Sequence, residues 1–358
     1  MIIRLFDSEL NLAGEIDDFQ SCIIARKYLG IETLEMTIPL QSRNAERLSR
    51  YSILWAGERK VFEILHRSVD YPGVAMVKIT AFSFGKTLAK RLTVPPNLAY
   101  DTATGSADAV VKQYIQNNLV SPLDPDRAVH YMQTASVRDG AGITDRTRYK
   151  NLNDEVMRVL QAAGQGYFFT LDLDEKKIVF DTYPGLNRTV GNGLHPPAIF
   201  SLEYDNILSQ TYTDSMADAQ NQVYVGGRGE EEDRIIVRVG AFSGIRRFEA
   251  FQDARDTEDE GELVNRGLAG QNPGAMNFEA RINPYGNLTY QKDYDLGDRV
   301  TVQDKRLGIT MDTRITEVKE TYQQGQADGV EITFGEKYPS FLSSIKSQQK
   351  QINQLASR

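Results

Sequence analysis

The residue types that carry most protein chemistry are few in this chain and stand far apart. Its three histidines, His66, His130 and His195, fall in three different regions, and none pairs with another at i,i+4. A zinc centre needs three or four His, Cys or carboxylate ligands converging, and the His-Glu-x-x-His arrangement is missing. No metal and no cofactor are therefore expected. The single cysteine, Cys22, lies in the apolar run Cys-Ile-Ile-Ala, which reads as a buried strand thiol and not a nucleophile; one cysteine closes no intrachain disulfide. The nucleophile elbow Gly-x-Ser-x-Gly does not occur, and Ala241-Phe242-Ser243-Gly244 reads as a turn.

Three stretches imitate ligand loops and fail on detail. Gly226-Gly227-Arg228-Gly229 lacks the Gly-Lys-Ser/Thr ending of a phosphate loop, and Glu230 to Asp233 beside it would repel phosphate, so it reads as a hairpin tip. Asp172-Leu173-Asp174 opens like a calcium loop, but no Gly follows at the sixth position and no Glu at the twelfth, which leaves a solvated turn. The run Asp253, Asp256, Glu258, Asp259, Glu260 and Glu262 reads as the negatively charged start of a helix. A carboxylate pair for glycoside cleavage needs only to face across a cleft, and nothing in the sequence nominates one. No catalytic residue is assigned.

A chain of 358 residues is long for one core and should hold roughly two to three domains. Its 41% hydrophobic and 25% charged composition is that of a folded protein. With 41 basic against 49 acidic residues, the net charge of -8 has the wrong sign for wrapping phosphate backbones, so tight nucleic-acid binding is disfavoured. The first residues lack a basic leader followed by an apolar stretch, so no secretory signal is expected. Nowhere do about 18 apolar residues run together, and no membrane-spanning helix is expected.

The elements that would position any site are mostly strands. In residues 1–95, Ile2 to Phe6, Ser21 to Tyr28, Glu32 to Ile38, Ile53 to Trp55, Lys60 to Asp70 and Val74 to Phe82 are rich in β-branched and aromatic residues and separated by turn signals, which suggests a small barrel or sandwich. In the fifth, alternation places Val61, Glu63, Leu65, Arg67 and Val69 on one face and Phe62, Ile64, His66 and Ser68 on the other. After Pro95-Pro96 the pattern changes. Helices are predicted over 106–120, capped by Ser106, and over 152–163, and a hairpin over Gly166 to Leu171 and Lys177 to Thr182. Beyond Pro196-Pro197, Gln222 to Gly226 and Arg234 to Gly240 form a second hairpin, a helix lies near 259–270, and strands resume from Met276 to Gly335.

Two patterns go beyond single elements. Ile53 to Trp55, Lys60 to Asp70 and Val74 to Phe82 give the order short strand, long strand, strand; Arg299 to Val302, Leu307 to Tyr322 and Val330 to Phe334 repeat it, so the same β unit is expected twice. Over 339–358 a polar helix is predicted in which Phe341, Ile345, Gln348, Ile352 and Leu355 step by four, three, four and three. That is a coiled-coil seam and a candidate oligomer interface; a terminal helix packed on its own domain reads equally well.

The stretches Tyr294-Asp295-Leu296-Gly297-Asp298-Arg299-Val300-Thr301-Val302, Leu307 to Val318 and Val330-Glu331-Ile332-Thr333-Phe334-Gly335 resemble the tail-hub family of long-tailed bacteriophages, whose hub domains stand at the front of tail-associated lysins. Ile3-Arg4-Leu5-Phe6-Asp7, Cys22 to Leu40 and the helix Glu262 to Gly267 agree less specifically. The resemblance implies a mainly β fold with α/β insertions: two related antiparallel β-barrels plus inserted α+β domains and a C-terminal helix. It maps a first hub barrel onto 1–95, an inserted α/β domain onto 97–204, a second barrel onto 205–240 plus 285–338, and an inserted segment with a helix onto 241–284. The terminal helix 339–358 would begin a coiled-coil stem.

By the same resemblance the protein is a structural virion protein and not an enzyme. It would be a homotrimeric baseplate hub at the tail tip, closing the tail tube and joining the distal-tail ring to the tape-measure protein, assembled in the cytoplasm of a bacterial host. Three chains with two barrels each give a ring of six. DNA would pass through without specific binding, which an acidic net charge suits if the carboxylates line the lumen. The alternatives are a peptidoglycan hydrolase and a carbohydrate-binding tail adhesin; Trp55, the single tryptophan, counts mildly against the latter.

Overall fold

The structure, a computed structural model, describes residues 1–335 apart from residues 72, 97, 98, 256 and 273. The helix expected over 339–358, with its seam from Phe341 to Leu355, lies outside the described residues. Two compact units form: Met1–Ser209 with Ala280–Ile332, and Gln210–Glu279 with residues 333–335. Among the described residues no helix is long and apolar enough to cross a membrane.

The first unit begins with seven strands, β1 (Ile3–Phe6), β2 (Leu12–Ile16), β3 (Ser21–Lys27), β4 (Thr33–Pro39), β5 (Ile53–Trp55), β6 (Val61–Asp70) and β7 (Met76–Ser83). They pair antiparallel in the order β3-β4-β7-β6-β5-β1-β2. Period-two alternation aims Cys22 and Ile24, Leu34, Met36 and Ile38, and Val77, Ile79 and Ala81 into one core, with Leu5, Leu54 and Phe62 from the other strands. Burying each large aliphatic chain there contributes about 1.5–3 kcal/mol.

The alternation expected along the long strand does not hold to its end. Phe62 and Ile64 face the core, but a bulge skips Leu65 and sets His66 opposite Thr80, so His66 and Ser68 turn to the outer face. One extra residue reverses every later side chain in a strand of period two.

The insertion follows. It comprises α1 (Gly85–Leu88), β8 (Asp101–Gly105), α2 (Ala107–Ile115), β9 (Met132–Thr134), β10 (Ile143–Thr147), α3 (Leu152–Ala162), β11 (Gly166–Asp172) and β12 (Lys177–Tyr183). Ser106 Oγ accepts the Ala109 amide at 3.1 Å, and Asn151 Oδ1 that of Asp154 at 3.2 Å; each satisfies an otherwise unpaired N–H of a helix's first turn. Both helices lay an apolar stripe (Val110, Val111, Tyr114; Val156, Val159, Leu160) on Tyr167, Phe169 and Phe180 of the β11–β12 hairpin. Phe6, Ile53 and Val61 join the same core, so the insertion is packed into the first sheet and not hung from it.

Next come β13 (Asn187–Arg188), β14 (Ile199–Ser201), β15 (Ile207–Ser215), β16 (Gln222–Gly226), β17 (Ile236–Val239), β18 (Glu249–Asp253), α4 (Glu260–Ala269), β19 (Ala275–Ile282), β20 (Arg299–Asp304), β21 (Ile309–Gln323) and β22 (Gly329–Gly335). The second unit holds the sheet β17-β16-β18 and α4, whose Leu263 meets Val223, Val225 and Ala254. Asp259 caps α4 by accepting the Glu262 amide at 2.7 Å. The hairpin predicted around Gly227 to Asp233 is present as β16–β17, with Gly227 N donating to the Ile235 carbonyl at 2.8 Å.

The repeated order of strands is also present: β5, β6 and β7 in the first copy, β20, β21 and β22 in the second. Their link is β21. Residues 309–314 pair with β20, and 317–323 pair antiparallel with β3, so one 15-residue strand continues both copies into a single sheet. The fold is mainly β, with several antiparallel sheets. No closed ring of strands is found among the described residues.

Candidate functional site

None of the chemically suggestive residues converges. Cys22 is wholly buried, and burial pushes its thiol up to about 12, which suppresses the thiolate a nucleophile needs. His66 is exposed on β6 and His130 in the turn before β9, and no group of three metal-ligating side chains forms among the described residues. Asp172 Oδ1 accepts the amides of Asp174 and Glu175, each at 3.0 Å, and so makes the turn read from the sequence.

The concentration of buried polarity lies elsewhere, along the β21–β3 seam of the first unit. The Lys60 ammonium meets Glu320 Oε2 at 2.6 Å, with both side chains buried. Tyr322 donates to the same oxygen at 2.6 Å and Tyr290 to Oε1 at 3.1 Å. Arg26, 1% exposed, donates from Nη1 to the Tyr290 hydroxyl at 2.8 Å and to Asp295 at 3.3 Å, and its Nε stands 3.7 Å from Glu32. Burial pushes the Glu32 carboxyl up to about 7 against the opposing pull of Arg26. The Glu320 carboxylate is answered by Lys60, Tyr322 and Tyr290, while Arg26 Nε is buried without a hydrogen bond; the network holds together residues some 260 positions apart.

The Leu296-Gly297-Asp298 turn closes that seam. Gly297 has φ +92°, and a Cβ there would lie 2.6 Å from the Tyr28 ring, so both conformation and space require glycine. Asp298 receives the Leu186 amide at 2.8 Å and Arg188 Nε at 3.0 Å. Tyr28 donates to the Gly164 carbonyl at 2.7 Å, while Arg314 lies over its ring at 4.4 Å and donates to the carbonyls of Gly297 and Pro184, each at 2.6 Å. The turn is the point where the first sheet, the insertion and β20–β21 meet.

A second buried charge cluster stiffens the insertion. Lys112 binds Asp108 at 2.8 Å, Asp181 at 2.9 Å and the Ser136 carbonyl at 2.7 Å, and Thr182 donates to Asp108 at 2.5 Å. Arg138 pairs with Asp181 from the rim. Sequence reading passed over both clusters: each charge looked like one of many surface charges, and only a polar residue at an inward position of an alternating strand, such as Arg26 after Cys22 and Ile24, signals them.

Both clusters join segments that are distant in sequence. The model of the family described as Siphovirus ReqiPepy6 Gp37-like protein matches residues 2–336. No curated protein sequence matches the chain. Among solved structures, the fold is similar to a tail protein from Neisseria meningitidis MC58 (TM-score 0.59, 10% identity, covering 94% of this chain and 96% of that one). It is similar also to prophage tail protein gp18 from Listeria monocytogenes EGD-e (0.56, 15%, 99% of each chain) and to the 43 kDa tail protein of prophage MuSo2 from Shewanella oneidensis (0.54, 11%, 93% and 97%). At such identities the likeness is one of fold, and it agrees with the family match over nearly the whole length: this chain belongs to the Siphovirus ReqiPepy6 Gp37-like protein family and has a phage tail protein fold.

Proposed function

We propose that this protein is a structural component of the virion, the trimeric hub that closes a phage tail tube at its tip, and that it catalyses no reaction. In this reading it joins the distal-tail ring above to the tape-measure protein within, after assembly in the host cytoplasm, and DNA passes through it without sequence-specific binding. The supporting observation is β21, which carries the two copies of the repeated β unit in one continuous sheet, braced by Lys60, Glu320 and Arg26. A ring built from two related barrels per chain needs such a rigid link between them.

The domain division belongs to the proposal: barrel one at 1–95, the insertion at 97–204, barrel two from 205–240 with 285–338, and the insertion at 241–284. So does the stem, in which Phe341, Ile345, Gln348, Ile352 and Leu355 of three chains form the seam. Light scattering on the purified chain, alone and with its distal-tail protein, is expected to give three chains per particle. A monomer under both conditions overturns the reading. Release of soluble fragments from peptidoglycan by the purified chain would replace it with a hydrolase, and selective retention on a glycan panel with an adhesin.

A further inference from the structure

The buried lysine of the insertion stands between two carboxylates. Lys112, on α2, is 3% exposed, and Asp108 and Asp181 are 1% and 7% exposed. Its Nζ lies 2.8 Å from Asp108, 2.9 Å from Asp181 Oδ1 and 2.7 Å from the Ser136 carbonyl, so each of its three hydrogens has its own acceptor. The two acids are held differently. Asp108 accepts the Thr182 hydroxyl at 2.5 Å and the Arg138 amide at 2.7 Å. Asp181 accepts the Thr182 amide on Oδ1 at 2.9 Å and the Arg138 guanidinium on Oδ2. Val111 and Ile115 of the same helix lie in the apolar core of the insertion.

We propose that Lys112 and Asp181 condense to an isopeptide bond once the insertion has folded. One ammonium proton crosses to Asp181 Oδ1, which leaves a neutral amine facing a neutral carboxyl group. The Nζ lone pair then forms the C–N bond to Asp181 Cγ, and the charge that develops on Oδ2 meets the guanidinium of Arg138. Asp108 takes the second proton from the nitrogen and hands it to Oδ1, which departs as water when the C–O bond breaks. The third hydrogen stays on the amide nitrogen, toward the Ser136 carbonyl. Atoms and charges balance with no outside reagent: ammonium and carboxylate give amide and water. Groups held this close meet at effective concentrations on the order of 10⁵–10⁸ M, and burial keeps out the water that would reverse the step. The bond closes a covalent loop much as a disulfide does, in a chain whose one cysteine can form none. Lys60 is the internal contrast: its Nζ is bonded to one carboxylate, Glu320, whose other partners are tyrosine hydroxyls, so it stays an ion pair. The step occurs once per chain, turns over no substrate, and does not depend on the hub reading.

The test is the intact mass of the purified full-length chain, kept folded at neutral pH until the mass is constant and then denatured. It is expected to fall short of the sequence mass by one water, and a tryptic digest should hold a branched peptide joining Lys112 to Asp181. Lys112→Arg and Asp181→Ala should each show the full sequence mass. So should Asp108→Asn, which keeps the shape of the acid and removes its capacity to take a proton. The full sequence mass in the natural chain overturns the proposal, and that readout stands whether or not the variants fold. Water loss that persists in Lys112→Arg also overturns it, in favour of a succinimide at Asp139-Gly140 or Asp328-Gly329, which loses the same mass and gives no branch. A branch joining Lys112 to Asp108, or Lys60 to Glu320, overturns the pairing, and closure in Asp108→Asn overturns the proton relay.

Discussion

The first sheet and the small sheet of the second unit follow the same alternation, yet they are stabilised differently. β1 to β7 enclose a core wide enough to hold Phe62, Met36, Ile79 and Leu54 at almost no exposure, and beside it a fully buried arginine and a buried lysine. The β17-β16-β18 sheet has a core of Val223, Val225, Ala254 and Leu263, while Ile236 and Phe251 stay 50% and 58% exposed. Where the core is deep, removing the Glu320 and Lys60 charges from water is offset by their mutual pairing and the tyrosine hydroxyls on Glu320, and the charges tie distant segments together. Where it is shallow, a helix cap and the close approach of α4 to its sheet carry more of the order.

The largest effect should come from the deep core. Phe62→Ala is expected to lower stability by about 3–5 kcal/mol in urea denaturation; a loss below about 1 kcal/mol would erase the contrast with the second unit. Lys60→Met should cost about 3–5 kcal/mol by leaving Glu320 buried and unpaired, and most of that should return in Lys60→Met/Glu320→Gln, where the amide still accepts from Tyr322. A double variant as unstable as the single one would mean that the lysine acts through packing alone.

Glu32 makes the same seam sensitive to pH. Its folded value, about 7, is above the ordinary 4.5, so the folded state holds the proton more tightly. The associated stability is complete below about pH 4.5 and is lost as pH rises through 7, by at most a few kcal/mol. Denaturation midpoints between pH 4.5 and 8 should show this decline, and Glu32→Gln should flatten it; an unchanged slope in that variant would assign the pH dependence to other groups.

Smaller effects are expected in the second unit. A Cβ on Gly267 would lie 2.4 Å from Val239 Cγ2, so Gly267→Ala should cost about 1–3 kcal/mol as α4 is forced off its sheet. Asp259→Ala should cost about 1 kcal/mol by freeing the Glu262 amide. Both should raise amide hydrogen exchange within 222–269 and leave 21–83 unaffected; a rise in both regions would show that the two sheets are not independently stabilised.

Much of this fold was legible because short-range patterns specified it. The strand Ile53–Trp55, the hairpin of β11 and β12, the capped start after Ser106 and the helix near 259–270 stand, within a residue, where turn chemistry and periodicity put them. The β8–β10 ribbon was not read, since its polar outer face and its inward Asp101 and Asp145 give no apolar alternation. The bulge at Leu65 was missed because period-two reading has no means of counting an extra residue.

By itself the sequence determined the strands and helices that carry apolar periodicity, among them β3 to β7, α2, α3 and α4, that a three-strand order occurs twice, and that no catalytic or metal-binding constellation is nominated. Those conclusions rest on neighbours a few residues apart, where sterics, caps and periodicity act. Only the tertiary structure decided that β21 joins β20 to β3, that Gly297 lies against Tyr28, and that Lys60 and Arg26 find Glu320, Tyr290 and Asp295. A charge at a strand position is a surface residue or a buried link according to what folds over it, and that partner is supplied by the far end of the chain.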